Sequence, residues 1–297
     1  MTVRMKVCGG LGNQLFQYAA GLALARRHRV RLIIDASFYR TKSHRSFQLN
    51  QLELDYELQG DEKSVQAYSS TPTGEFVGGG TNCNDEPRQH TDICFSERSF
   101  CFDERFITIT PPAVLQGYYQ SERYFADLRN ELRTQIRLRA QPCARFYEAL
   151  NAIESSKAPV AMHVRRGDLI TAGGVHPVHG CLAWPYYSKA LHIISRLIDN
   201  DHDLFIFGDD LAALGEMQPK IARSIIVSHS DLSAAEDLIL MKKCRHFITA
   251  NSTFSWWGAW LGEAPDKIVI SPRQWLSPSG LRQNNVCDLI PEGWLQV

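Results

Sequence analysis

From residue 159 to residue 270, short apolar runs alternate with longer amphipathic ones, and this alternation constrains the fold more than any other feature. Strands are expected at 159–164, 204–207, 224–228, 246–250 and 267–270, with helices at 185–198, 212–217, 234–243 and 254–262 between them. Strands joined through helices build a parallel sheet covered on both faces, which is why such runs are apolar throughout. The chain opens in the same way. An apolar run from Val3 to Cys8 leads into "GGLGNQ", then into "LFQYAAGLALARRH", whose basic end suits a helix C-terminus, and then into "VRLIID". Two stretches of this kind predict two α/β domains, 1–155 and 156–297, with the chain restarting near Ser155-Ser156-Lys157. Between them the signal weakens from about residue 50, and 69–89, rich in Gly, Ser, Thr, Pro and Asn, reads as an irregular loop. Order returns with "AVLQGYYQSERYF" at 113–125 and with helices expected at 127–139 and 144–153.

In an open parallel sheet, ligands bind at the carboxyl ends of the strands. Four polar clusters follow expected strands: Gly9 to Gln14, Arg165 to Asp168, Gly208 to Asp210 and Asn251 to Ser255. The first departs from G-x-G-x-x-G, so Asn13 and Gln14 either cap the helix or touch a phosphate or sugar. In the last, capping accounts for one of Asn251, Ser252 and Thr253 but not for all three. A helix N-terminus with two hydroxyls suits an anion, whereas Trp256, Trp257 and Trp260 behind it read as core. Arginine grips phosphate bidentately and never loses its charge, so Arg165 and Arg166 suit a diphosphate leaving group whose developing charge must be neutralised. Consecutive residues diverge, so one arginine faces a ligand while the other anchors the loop. His163 and Asp168 are the nearest candidates for proton transfer.

Several classes drop out. The 32 basic and 32 acidic residues balance, which argues against nucleic acid as the main ligand. Asp199 to Asp203 contains a D-x-D pattern but precedes its strand, the wrong end for a ligand. Asp209 and Asp210 stand at the right end, but adjacent side chains do not readily share an ion, so no metal site is expected. Cys83, Cys94 and Cys101 match no zinc spacing, and Cys8 and Cys244 read as buried thiols. No P-loop pattern supports a kinase. No apolar stretch approaches the ~20 residues of a bilayer span and the N-terminus lacks an h-region, so a cytoplasmic protein is expected, with peripheral association at the inner membrane left open.

"GGLGNQLFQYAAGLALA", "GYYQSERYF", "HVRRGD", "DLILMKKCRHFITANSTFSWWGAWL" and "DKIVISPRQW", in this order, resemble the α-1,2-fucosyltransferases of glycosyltransferase family 11. The resemblance covers most of the chain and is weakest across about 40–110. It implies a GT-B architecture, two Rossmann-like α/β domains facing across a cleft. It also implies a GDP-β-L-fucose donor, a galactose-terminated acceptor fucosylated at the 2-hydroxyl with inversion, and no required metal or cofactor. A surface polysaccharide such as an O-antigen would be the destination. By the same resemblance Arg165 contacts the β-phosphate, Arg166 holds the loop, and Ser252 and Thr253 bind the diphosphate. Asp237, or failing it Glu236, reads the guanine edge, while Asn13 and Gln14 close over the donor. Asp209 and Asn251 complete the donor set, and His179 is a further candidate at the cleft. Asp168 is favoured over His163 as the base. An α-1,6-type enzyme and a non-catalytic nucleotide-sugar binding protein are the alternatives.

Overall fold

The computed structural model describes residues 1–40, 45–60, 93–166, 170–171, 174–175, 178–198, 201–210 and 223–297. Asp168, Cys83, Asp199, the expected loop at 69–89 and the expected helix at 212–217 lie outside the described residues. Contacts divide the chain into two units, Met1–Asn50 with Leu54–Gln135, and Gln51–Glu53 with Ile136–Val297.

In the first unit β1 (Thr2–Lys6) leads through the glycine turn into α1 (Leu11–His28) and on to β2 (Arg31–Asp35). β3 (Glu57–Leu58), β4 (Ile93–Ser96), β5 (Ala113–Gln116) and α2 (Arg129–Gln135) follow. The sheet is parallel, in the order β3-β2-β1-β5-β4. Leu15, Phe16, Ala19, Ala20 and Leu22 of α1 are buried. The helix stops where Arg29 turns left-handed (φ 53°) and its N–H bonds back to the carbonyls of Ala25 and Arg26.

The second unit contains α3 (Ala144–Ser155), β6 (Pro159–Val164), the short antiparallel pair β7 (Ile170–Thr171) and β8 (Gly174–Val175), and α4 (Trp184–Leu197). After them come β9 (Asp203–Gly208), β10 (Ser224–Ile226), α5 (Ala234–Lys242), β11 (His246–Ile248), α6 (Thr253–Leu261), β12 (Val269–Ser271), α7 (Pro278–Gln283) and β13 (Leu295–Gln296). Six parallel strands run in the order β10-β9-β6-β11-β12-β13. The chain therefore builds outward from β6 to β9 and β10, then crosses back to start β11 on the other side of β6. That reversal puts a topological switch point between β6 and β11.

β6 is buried along its whole length. On one face Val160, Met162 and Val164 pack with Tyr187, Ala190 and Ile194 of α4. Trp256, Trp257 and Trp260 of α6 are fully buried, as the core reading expected, and the Trp256 indole N–H donates to the Leu289 carbonyl at 2.8 Å. α6 lies close against α5 because Gly258 leaves room for Met241. A Cβ at Gly258 would stand 2.2 Å from the Met241 sulfur.

Two expectations are revised. α3 belongs with the second unit rather than the first. The Cys143 N–H at its start donates to Glu236 of α5, and the preceding segment bonds to residues 51–53 through Glu53 N–H to Arg137 O and Arg139 N–H to Gln51 O. β3, β4, β13 and α7 were not anticipated. Two-residue strands carry no periodicity to read, and β4 presents only Phe95 to the core. Among the described residues no helix is long and apolar enough to cross a membrane.

Candidate active site

Four neighbouring strands of the second unit are tied together at their carboxyl ends by polar links. Beyond β6, an Arg165 guanidinium N–H donates to the Asn251 carbonyl at 3.1 Å, spanning the switch point to the residues that follow β11. The Arg166 backbone N–H donates to Asp209 Oδ1 at 2.9 Å, joining β6 to β9. The charges of both arginines act on Cys181, and that of Arg166 also acts on Tyr187 of α4. Gly208, ending β9, donates its N–H to Ser228 Oγ at 3.1 Å, and that hydroxyl donates to Asp237 Oδ2 at 2.5 Å.

α6 begins between these links. Ser252 is its cap, accepting the Phe254 N–H at 3.3 Å, and Thr253 opens the first turn, which contains no acidic residue. At the other end Lys267 Nζ donates to the carbonyls of Ala259 and Gly262, both at 2.8 Å. The negative pole of the helix is thus compensated within the fold, whereas its positive pole opens at the switch point beside Arg165. Asn251 is buried, and its amide N–H groups reach the carbonyls of His179 at 3.0 Å and Trp275 at 3.3 Å. Those donors brace the loop carrying His179, which is itself half-buried.

Asp237 and Glu236 share the first turn of α5 but differ in environment. Glu236 accepts the N–H groups of Ser233 and Cys143 on separate oxygens and completes a capping box with Ser233. Burial opposes its ionisation, but these donors prevail and hold the carboxyl below its usual range. Both oxygens are committed, so its assignment as the second choice for the guanine edge gives way to a structural role. Asp237 receives one hydroxyl on Oδ2, and its shielded Oδ1 accepts no hydrogen bond among the described residues. Burial, reinforced by the Glu236 charge, pushes the Asp237 carboxyl up to about 7 against the pull of Ser228.

His163 stands one residue before the end of β6. It is buried, with its ring 5.5 Å from that of Phe254 under the first turn of α6. Asp168, the other base candidate, lies outside the described residues. The D-x-D pattern meets Arg223 instead of a ligand. Asp201 and Asp203 both pair with that guanidinium, at 3.3 and 2.9 Å, around the start of β9.

At the carboxyl edge of the first unit, Asn13 and Gln14 separate. Gln14 is fully buried and its amide is spent. It donates to Gly9 O and Ser46 O at 3.0 Å each, and accepts from Gln48 N–H at 2.9 Å and Leu49 N–H at 3.3 Å. The expectation that Gln14 closes over a donor is therefore corrected, because the residue fastens the 46–49 segment to the glycine turn. Asn13 is half-buried and accepts the Gln120 side-chain N–H at 3.0 Å. Two supports escaped the sequence reading. Gln17 accepts the Cys8 N–H at 3.0 Å and donates to Gly117 O at 2.9 Å. Glu97, following β4, accepts the N–H groups of Tyr118 and Tyr119 at 2.9 and 2.8 Å and the Tyr124 hydroxyl at 3.0 Å. Gln14 and Gln17, three apart on a buried helix face, were the available signal.

Two parallel-sheet α/β domains, the second with a switch point suited to an anion, form a fold of GT-B type. The fold matches the fucosyltransferase NodZ from Bradyrhizobium with a TM-score of 0.52 at 17% identity, over 90% of this chain and 94% of that one. It also matches Arabidopsis thaliana FUT1, solved as a mutant with GDP, with a TM-score of 0.51 at 11% identity, over 99% and 76%. The model for glycosyl transferase family 11 matches residues 102–286, more than half of the chain, and the chain belongs to that family. Two Escherichia coli relatives align almost end to end. The O-antigen biosynthesis glycosyltransferase WbnK is 28% identical over 97% of this chain and 98% of its own length. An alpha-1,2-colitosyltransferase is 27% identical over 98% and 97%.

Proposed function

We propose that this chain is an inverting glycosyltransferase that moves L-fucose from GDP-β-L-fucose to the 2-hydroxyl of a terminal galactose, in the synthesis of a surface polysaccharide such as an O-antigen. The observation that carries the reading is the Arg165–Asn251 link across the switch point, beside a helix N-terminus with no acid in its first turn. A leaving GDP needs its β-phosphate charge neutralised as the glycosidic bond breaks, and a fixed guanidinium with a helix dipole supplies that neutralisation without a metal. Arg165 binds the β-phosphate. Ser252 and Thr253 bring the start of α6 to the diphosphate, and Asp237 is assigned to the guanine N–H donors and Asn13 to the donor. Arg166 and Asp209 hold the loop. The acceptor hydroxyl loses its proton late in an oxocarbenium-like displacement, and Asp168 is the assigned base, since His163 is buried with its ring 5.5 Å from that of Phe254.

The α-1,2-colitosyltransferase relative favours one second reading, a colitosyl donor with the same linkage. Purified protein assayed with GDP-fucose and GDP-colitose over a panel of β-galactosides, with and without EDTA, separates them. Metal-independent fucosyl transfer to the galactose 2-hydroxyl is the expected result. Transfer from the colitosyl donor alone would reassign the donor. Linkage at the 6-position, or loss of transfer in EDTA, would overturn the linkage or the metal-free route respectively.

A further inference from the structure

We infer that Glu97 is a positioning residue: by holding the turn from Gly117 to Gln120, its carboxylate sets the orientation in which Asn13 is presented at the carboxyl edge of the first sheet. The turn does not hold itself. Tyr119 sits in the left-handed region at φ 55°, which side chains other than glycine rarely adopt, and Gly117 is at φ 152°. A Cβ at Gly117 would meet Glu97 Cβ at 2.6 Å and Oε2 at 2.9 Å, so the carboxylate lies directly against the turn. Glu97 Oε2 takes the two successive N–H groups of Tyr118 and Tyr119, and Oε1 takes the Tyr124 hydroxyl. Gln17 fixes the same turn from α1 through Gly117 O. The next residue, Gln120, is buried and donates its side-chain N–H to Asn13 Oδ1 at 3.0 Å. The chain of contacts thus runs from Glu97 through the turn to Asn13.

Three donors converging on one carboxyl group favour its ionised form, because a proton on Oε1 would turn the Tyr124 hydroxyl toward its other acceptor, Cys101 O at 3.2 Å, and weaken Oε2 as an acceptor. The titratable and charged groups acting on Glu97 are Tyr119 and Tyr124 from the turn and its following segment, and Asp103, whose carboxylate is paired with Arg105. Burial, with a smaller contribution from Asp103, moves the Glu97 carboxyl up to about 7 against the three hydrogen bonds. The brace therefore engages above neutral pH and slackens below it. Its effect on turnover rests on the reading of Asn13 as a donor contact, whereas the brace itself does not.

The test uses full-length, isotope-labelled protein titrated by NMR from pH 5.5 to 8.5. The backbone amides of Tyr118 and Tyr119 and the side-chain amide of Asn13 are expected to shift with one shared midpoint within about a unit of 7. In Glu97→Gln all three should be flat. In Gln120→Ala the tyrosine amides should still titrate and the Asn13 amide should not. An Asn13 amide that ignores the midpoint in native protein, or tyrosine amides that still titrate in Glu97→Gln, would overturn the inference. Native protein and Gln120→Ala decide the matter even where Glu97→Gln fails to fold. In the transfer assay, Glu97→Gln is expected to lower kcat about tenfold at pH 8, with no further loss when added to Asn13→Ala. Additive losses would also overturn it. Transfer untouched in Asn13→Ala, with the shared NMR midpoint intact, would sink the donor-contact reading and leave the brace standing.

Discussion

Replacing Asp237 by asparagine should stabilise the protein and weaken its hold on GDP, a pair of opposite effects that a structural carboxylate would not produce. Folding raises this carboxyl from 3.8 to about 7. A group with a raised folded-state pKa adds stability that is complete below its unfolded value and is lost as pH climbs through the folded one. The window is therefore about pH 4 to 7, and above it the folded chain holds an anion that it disfavours. A shift of that size corresponds to on the order of 4 kcal/mol as a ceiling, and partial solvent access reduces it. Asp237→Asn removes the charge, keeps the shape and retains an oxygen for Ser228, so a gain of about 2 kcal/mol is expected at pH 8, shrinking to nothing near pH 4. Urea denaturation of both proteins from pH 4 to 8 measures it, and the difference between the curves isolates Asp237 from Glu97, which titrates in the same window. GDP affinity by calorimetry should fall ~10–100-fold at pH 8, because position 237 no longer offers a charge-assisted acceptor. A stability difference that is flat with pH would refute the electrostatic argument. Unchanged GDP affinity would refute the guanine assignment.

Three further outcomes follow from the geometry. Arg165→Ala should reduce transfer ~100–1000-fold while moving the melting temperature by only a few degrees, as activity and thermal scans of the same preparation would show. Gln14→Ala should cost about 3 kcal/mol in chemical denaturation, because Gly9 O, Ser46 O and the N–H groups of Gln48 and Leu49 all lose the same partner. Gly258→Ala should cost about 1–3 kcal/mol, since the added carbon lands 2.2 Å from the Met241 sulfur, and shortening Met241 to Ala in the same chain should recover part of the loss.

β6 was legible to the residue, Pro159–Val164, because a strand buried on both faces leaves an apolar run, here interrupted only by His163, that charge abruptly ends. The helix carrying the three tryptophans was legible for the same reason. Gln14 was misread because its partners are 32 to 35 residues away, in a segment with no periodicity of its own. An amide at a helix start looks identical whether it faces a ligand or a distant backbone. Glu97 was invisible on similar grounds, since its three donors come from a turn more than twenty residues on. Glu236 is a different kind of miss. Ser233 and Glu236 spell the capping box S-x-x-E in plain sequence, and that pattern alone assigns the glutamate to the helix start.

The contact between Arg165 and Asn251 follows from strand order, which no local pattern encodes. Arg165 and Asn251 are 86 residues apart and meet only because the chain, after building β9 and β10 on one side of β6, returns to lay β11 on the other. In open parallel sheets such a reversal is where ligands reach the strands' carboxyl ends. Arg166, the next residue, instead ties the loop beyond β6 to Asp209 of the neighbouring strand through its backbone N–H. Under the proposed reading Arg165, held to Asn251 across the switch point, is the group that meets the diphosphate, while the backbone of Arg166 serves as a strut between neighbouring strands.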